Sequence, residues 1–182
     1  DLFVVGRYDS SAAVSAVATG SQLMQTITGA VLGLSMGGTV LIGHAIGERD
    51  EEKAARAVGS LAGLFALVAL ICTGIMTAAS GPVTGLLHTP PEAFVYARQY
   101  IFICSAGIPF IVGYNAVSGI FRGIGDSKTP MYLVAAACMV NVVLDFLLVG
   151  GFGMGAAGAA AATIAAQGIS FLLSLVIIVK RG

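Results

Sequence analysis

Asn141 and Asp145 stand four residues apart in the stretch NVVLDFLLV, residues 141–149. At that spacing they share one face of a helix. Between Met131 and Gly155 no other residue is charged. An aspartate in the middle of an apolar helix costs about 2.5–3.5 kcal/mol on insertion scales. A carboxyl kept there either stays protonated or is ionised against a cation or a wet cavity. Both states depend on the surroundings, which is how a proton or sodium site is built. The plainer alternative is an aspartate that hydrogen-bonds a neighbouring helix.

Asp1 is a second acid, set before LFVVG and a few residues ahead of Arg7 and Asp9. Counting from Pro130 at ~1.5 Å per residue places Asp145 about 22 Å into its span. Asp1 falls at a similar depth on its own segment. Two acids at one depth can share a proton or bracket one cation. Thr163 and Gln167 lie one turn apart and share a face. A threonine hydroxyl in a helix equally often bonds back to its own turn. Gln167 should face the bundle interior, because an amide in lipid is costly. Asn115, Ser118 and Arg122 form a polar stripe with Tyr100 above it. Arg122 suits a membrane interface, and Asn115 suits a cavity wall or a bond to another helix. Gln22, Gln25, Thr26 and Thr28 fit packing and cavity lining equally.

The remaining polar residues are read as structural. His44 and His88 have no ligand-type neighbours in sequence and suit solvated interfaces. Cys72, Cys104 and Cys138 lack CxxC spacing, so they are read as small buried hydrophobes, neither disulfides nor a zinc site. GIGDS, 123–127, lacks the strand-to-helix context of a phosphate loop and is read as a turn. ERDEEKAAR, 48–56, reads as a solvated helix start with pairs such as Glu52–Arg56.

Composition says what must position these groups. The chain is 57% hydrophobic and 10% charged, with mean hydropathy +0.95. Soluble domains carry roughly 25% charge. The charges are clustered, and the stretches between them are long enough to cross ~30 Å of hydrocarbon as helices. The fold class is therefore all-α, a polytopic transmembrane bundle in a lipid bilayer. Its zero net charge gives no reason to expect nucleic acid. A short first segment, residues 1–6, opens without Met and reads as the end of a truncated helix. Complete spans are expected over 12–44, 54–80, 93–121, 130–150 and 156–179, with a kink at Pro109. The second should end at Gly81-Pro82. Gly29, Gly33 and Gly37 make consecutive GxxxG steps, the pattern of close helix packing in membranes. No signal peptide is visible.

Alternate connections collect Arg49, Lys53, Arg56, Arg122, Lys128, Lys180 and Arg181 on one side, against Arg7 and Arg98 on the other. The positive-inside rule places the first group, and the end of the chain, in the cytoplasm.

The motif order DLFVVGR, GLSMGGTVLIGHAIGERD, YNAVSGIFRGIGDSKTPM, NVVLDFLLV and GAAGAAAATIAAQ resembles the multidrug and toxic compound extrusion (MATE) transporters over nearly the whole chain. Members have twelve spans in two six-helix lobes. The resemblance implies that residues 1–182 are a single amino-terminal lobe with its first helix truncated, lacking the carboxyl-terminal lobe. It implies a non-enzymatic antiporter of the plasma (inner) membrane. Such a protein exports cationic or amphipathic drugs or metabolites by alternating access in exchange for H+ or Na+, without a cofactor. It further implies that Asp1, Asn141, Asp145 and Thr163 form the coupling site, which is also the possible sodium site, with Tyr100 matching an implicated tyrosine. Asn115 and Gln167 would then line the substrate cavity.

Three other functions compete. A lipid-linked oligosaccharide flippase of the same superfamily would want a basic central cavity, whereas the interior candidates here are acidic or neutral. An intramembrane aspartyl enzyme using Asp1 and Asp145 would want a further acid–base partner at depth. A passive channel or structural module would show uncoupled conductance.

Overall fold

The computed structural model describes residues 1–181, with side chains through Lys180. Eight α-helices and one π-helical turn follow in order: α1 (Leu2–Tyr8), α2 (Ser11–Gly47), α3 (Glu51–Ala78), α4 (Ser80–Leu86), α5 (Pro91–Ala106), α6 (Ile108–Gly123), α7 (Lys128–Asp145), the π turn (Phe146–Gly151) and α8 (Gly155–Arg181). No strand occurs among the described residues.

Local chemistry sets the helix ends. Ser10 Oγ accepts from the Ala13 amide at 3.3 Å and caps α2. Asp50 Oδ1 accepts from the Lys53 amide at 2.8 Å and caps α3, with Glu51 and Glu52 in its first turn. Acceptors and acids at a helix start satisfy free amides and the positive dipole end. Arg56 pairs with Glu52 at 2.8 Å. Asp126 accepts from the amides of Lys128 and Thr129 and so opens α7.

Three helices close in one way. The residue after the C-cap takes a left-handed conformation, and amides fold back onto the last turn. After α6 this residue is Gly125, at φ +87°, and the Asp126 amide reaches Phe121 O at 2.8 Å. After α2 and α4 it is Arg49 (φ +57°) and His88 (φ +51°). A side chain in that region costs roughly 1–2 kcal/mol. Arg49→Gly is therefore expected to stabilise the α2–α3 connection by roughly 1 kcal/mol, read as a raised thermal midpoint in detergent; an unchanged or lowered midpoint would show that the Arg49 side chain compensates the strain.

Among the described residues four helices are long and apolar enough to cross a membrane, α2, α3, α7 with its π turn, and α8. The pair α5–α6 makes a fifth, bent by 47°. That break falls at Gly107, not at Pro109. Pro109 lies in the first turn of α6, where a missing amide costs no hydrogen bond. A Cβ on Gly107 would overlap the Ile164 side chain, so α8 presses on the bend. The second span, α3, ends at Ala78, two residues before the expected Ser80, and Pro82 sits in the first turn of the short helix α4 that follows. α2 has 37 residues, about 55 Å, more than the hydrocarbon needs, so it tilts or projects.

α2 packs on α5 and α6, α7 on α8, and α3 on α6, while α8 also meets α5 and α6. One buried cluster gathers Val5, Val17, Tyr100, Val149 and Ala159, and another gathers Ile42, Phe65, Ile108 and Val112. Leu70, Met139, Val143 and Leu172 are exposed, as expected where the solvent is lipid. The GxxxG steps of α2 do not make the packing seam: Cβ atoms at Gly29, Gly33 and Gly37 would meet nothing within 4 Å. The close approach is made by Gly119 and Gly123 of α6, against Ser35, Thr39 and Ile42 of α2. Of the cysteines only Cys104 is buried. Cys72 is half-buried, and Cys138 is exposed on the outer face of α7.

Candidate functional site

Three elements converge at one depth: the start of α1, the end of α7 and the middle of α8. Asp145 is the last residue of α7. The chain then widens into the π turn, a feature often found beside functional sites. Gly150, in that turn, lies 3.3 Å, at an added Cβ, from the Tyr8 ring, and Tyr8 stacks edge-on against Phe146 at 6.4 Å. The far end of α1 is thus anchored to the segment that follows Asp145. The near end carries Asp1.

Asp145 is 0% exposed. Among the described residues no side chain donates a hydrogen bond to either of its carboxylate oxygens. Its one polar neighbour is the backbone nitrogen of Asp1, 2.9 Å from Oδ2. This contact reports the approach of the two residues; it is not a side-chain ion pair. The Asp1 carboxylate is the hub of the cluster. Thr163 Oγ1 donates to its Oδ2 at 2.9 Å; the same hydroxyl also reaches Ala159 O at 3.0 Å. With its amide nitrogen turned toward Asp1, Asn141 donates to Oδ1 at 3.0 Å and accepts from the Thr163 amide at 3.2 Å. Asp1, Asn141, Asp145 and Thr163 therefore lie together, across 162 residues of sequence in the case of Thr163 and Asp1.

The arrangement is chemically uneven. Asp1 is satisfied by donors and is partly open, its side chain 20% exposed. Asp145 is sealed and lacks side-chain donors. A buried carboxylate without donors bears the full cost of desolvation unless it is neutralised. Oxygen donors from two carboxylates, an amide and a hydroxyl suit a proton or a hard cation, not a soft metal. No cluster of three or more His, Cys, Asp or Glu capable of holding a metal occurs among the described residues.

A cavity of about 360 Å³ opens beside this cluster between α2, α5, α6 and α8. Asp1, Tyr100, Thr163 and Gln167 line it, with Ser21, Gln25 and Thr28 of α2 opposite. Tyr100 is 2% exposed, and its hydroxyl lies 3.0 Å from Ser21 Oγ. The ring fits because residue 20 is glycine; a Cβ there would overlap it. Tyr100 and Gln167 thus share the cavity wall with Asp1. Asn115 is placed elsewhere. Its side-chain Nδ2 donates to Ile111 O of its own helix at 2.7 Å, and its backbone carbonyl accepts from Ser35 Oγ at 2.8 Å. It belongs to the α2–α6 seam and does not line this cavity. Ser118, in the same stripe, is buried with its hydroxyl unbonded, and Arg122 donates to Ser35 Oγ at 3.2 Å.

Sequence reasoning missed Ser21 and Asp9. Ser21 sits one residue before the polar patch of α2 that begins at Gln22 and belongs to the same run of polar residues. Asp9 lies against the start of α8, where a Cβ on Gly155 (φ +53°) would overlap its carboxylate. Only the φ-demanding glycine hints at that contact.

The fold and site define the class: a multi-pass membrane lobe with an acidic cluster facing an open cavity. The MatE family model matches residues 1–147, and the chain belongs to that family of transporters. Over 181 residues it is 32% identical to the probable multidrug resistance protein YpnP of Bacillus subtilis, covering 100% of this chain and 41% of that one. To the probable multidrug resistance protein NorM of Thermotoga maritima it is 30% identical over 190 residues, covering 100% and 40%. The outward-facing structure of a multidrug resistance MATE family transporter superposes with TM-score 0.91 at 28% identity, covering 99% of this chain and 40% of that one. An inward-facing structure gives 0.88 at 28%, covering 96% and 39%. The chain spans about two fifths of the length of the relatives it matches. These relatives and neighbours are transporters, not enzymes.

Proposed function

We propose that this chain forms one lobe of a cation-coupled multidrug efflux antiporter, acting with a second, carboxyl-terminal lobe. Asp1, Asn141, Asp145 and Thr163 bind the coupling ion, H+ or Na+, which is itself a transported substrate. The cavity beside them, walled by Tyr100 and Gln167, takes a cationic or amphipathic small molecule, a drug or metabolite. The observation that carries this reading is Asp145: fully buried, without a side-chain donor, and next to the Asp1 hub. A structural aspartate would use its oxygens to hold a neighbouring helix. This one has no side-chain donor on either oxygen, and only the Asp1 backbone nitrogen approaches Oδ2, at 2.9 Å.

The cycle follows from differential affinity. Facing outward, the cluster takes up a cation, which removes the charge that burial penalises. The neutral cluster favours a different packing of α1 against α7 and α8, and that packing expels the drug. Facing inward, the cation leaves. An ion drives such an exchange only by binding the two states unequally. The positive-inside count supports a cytoplasmic side for the end of α8, and family membership supports the plasma (inner) membrane as the site of the lobe.

The test uses the full transporter in proteoliposomes with a fluorescent cationic drug and separate proton and sodium gradients. Drug accumulation under one gradient names the ion. Absence of movement under both would reject the antiporter. It would turn the reading toward a lipid-linked oligosaccharide flippase, although the cavity lining, which includes Asp1 and no Lys or Arg, argues against a phosphate-bearing substrate.

A further inference from the structure

A second and larger hollow lies away from the acidic cluster. It is a groove of about 760 Å³ between α2 and α3, at the end where the charged 47–56 connection joins them. Its mouth carries Lys53 and Arg56, and Ser60 follows one turn deeper. These three sit at i, i+3 and i+7, on one face of α3. Its walls are Leu34, Leu41 and Leu64, and its base is the contact of Gly38 with Leu61. The floor at Gly37 is open, since an added Cβ there meets nothing within 4 Å. From Lys53 to Leu64 the groove runs about 16 Å, close to one leaflet of a ~30 Å hydrocarbon core.

We propose that this groove holds one anionic phospholipid, its phosphate diester on Lys53 and Arg56 and one acyl chain along Leu41, Leu61 and Leu64. Charge complementarity selects the occupant. Of the charged residues in the connection, only these two cations line the groove. Their partners Glu48 and Glu52 lie outside the lining, with side chains 53% and 80% exposed. Exposed pairs of that kind are weak, so a phosphate can take the cations' inner donors. Phosphate recognition by basic residues at the membrane surface, over an apolar slot of leaflet depth, is the recognition pattern of an anionic lipid. A free anion would have no use for the slot, and a zwitterionic lipid would bring an ammonium beside the cations. The proposal needs only that the chain spans a bilayer; it does not depend on ion coupling or drug transport.

The test is native mass spectrometry of the purified full chain, titrated with phosphatidylglycerol and with phosphatidylcholine. One phosphatidylglycerol should be retained per chain, about tenfold more tightly than phosphatidylcholine. Replacing both Lys53→Gln and Arg56→Gln should lower its retention about tenfold and leave circular dichroism and elution unchanged. Gly37→Leu, which fills the floor, should weaken both lipids. Inorganic phosphate in millimolar excess should not displace the lipid. Equal phosphatidylglycerol retention by the double variant, or displacement by inorganic phosphate, would overturn the proposal. The readout is lipid mass, so it stands or falls independently of any transport assay.

Discussion

Asp145→Asn is expected to remove gradient-driven drug accumulation while leaving the lobe folded. A tenfold cation gradient is worth about 1.4 kcal/mol per ion, so one-for-one exchange sustains about a tenfold drug ratio. In the variant that ratio should fall to one, because an amide cannot take up or release a proton and brings no negative charge to hold Na+. Stability should hold for a physical reason. Asp145 has no side-chain donor to lose, and the one neighbouring nitrogen, 2.9 Å away, can still be accepted by the Asn oxygen. Replacing a buried carboxylate that lacks donors by a neutral isostere lowers a desolvation cost. Unchanged thermal midpoint with lost accumulation is the expected pair of results. Accumulation that survives would make Asp145 a packing residue, and the coupling site would have to be sought at Asp1 alone.

Thr163→Val gives a graded companion. It keeps the shape and removes the hydroxyl that donates to Asp1 Oδ2 at 2.9 Å. A hydrogen bond to a charged group contributes about 1.5–3 kcal/mol. The Asp1 carboxylate should then hold its cation differently, shifting the cation concentration for half-maximal transport by about tenfold or more without abolishing exchange. An unchanged half-maximal concentration would separate Thr163 from the cluster's work and leave it a helix-internal hydroxyl bonded to Ala159.

What the sequence made legible was what local chemistry decides. A lone charge in an apolar run marks Asp145, whatever the fold. The i,i+4 partner Asn141 follows from helical period. What stayed hidden depends on the neighbours a helix acquires. Asn115 belongs to a stripe that could have faced a cavity or a helix; its side chain bonds back to Ile111 O, while its backbone carbonyl accepts from Ser35, 80 residues away. The glycines of α2 carry the packing pattern, yet the seam formed on the α6 pair, because Gly119 and Gly123 face the side chains of Ser35 and Ile42. Arg49 and His88 close helices where glycine is usual, so no residue signal marked those ends. The π turn after Asp145 leaves no residue pattern that separates it from a plain helix end.

The seam itself makes the second large prediction. Gly119→Ala should destabilise the lobe by about 1–3 kcal/mol, the range for overpacking a tight contact. The new methyl would overlap Ser35 Oγ, with the Ser35 carbonyl at 3.3 Å and Thr39 Oγ1 at 3.4 Å. Ser35 Oγ cannot turn aside without loss, because it donates to Asn115 O at 2.8 Å and accepts from Arg122 at 3.2 Å. The helices must separate or the hydrogen bonds must break. Ser35→Ala in the same chain removes the overlapping atom and leaves only contacts that small shifts relieve, so the double variant should recover part of the loss. That sign of coupling, a second mutation restoring stability, is measurable as a double-mutant cycle in detergent unfolding. Gly33→Ala, with nothing within 4 Å of its Cβ, is the control and should stabilise by up to about 1 kcal/mol through helix propensity. If Gly119→Ala did not destabilise either, α2 and α6 would have to slide freely past one another. If Ser35→Ala simply added its own cost, the Ser35–Asn115–Arg122 chain would matter more to the seam than the fit of the glycine beneath it.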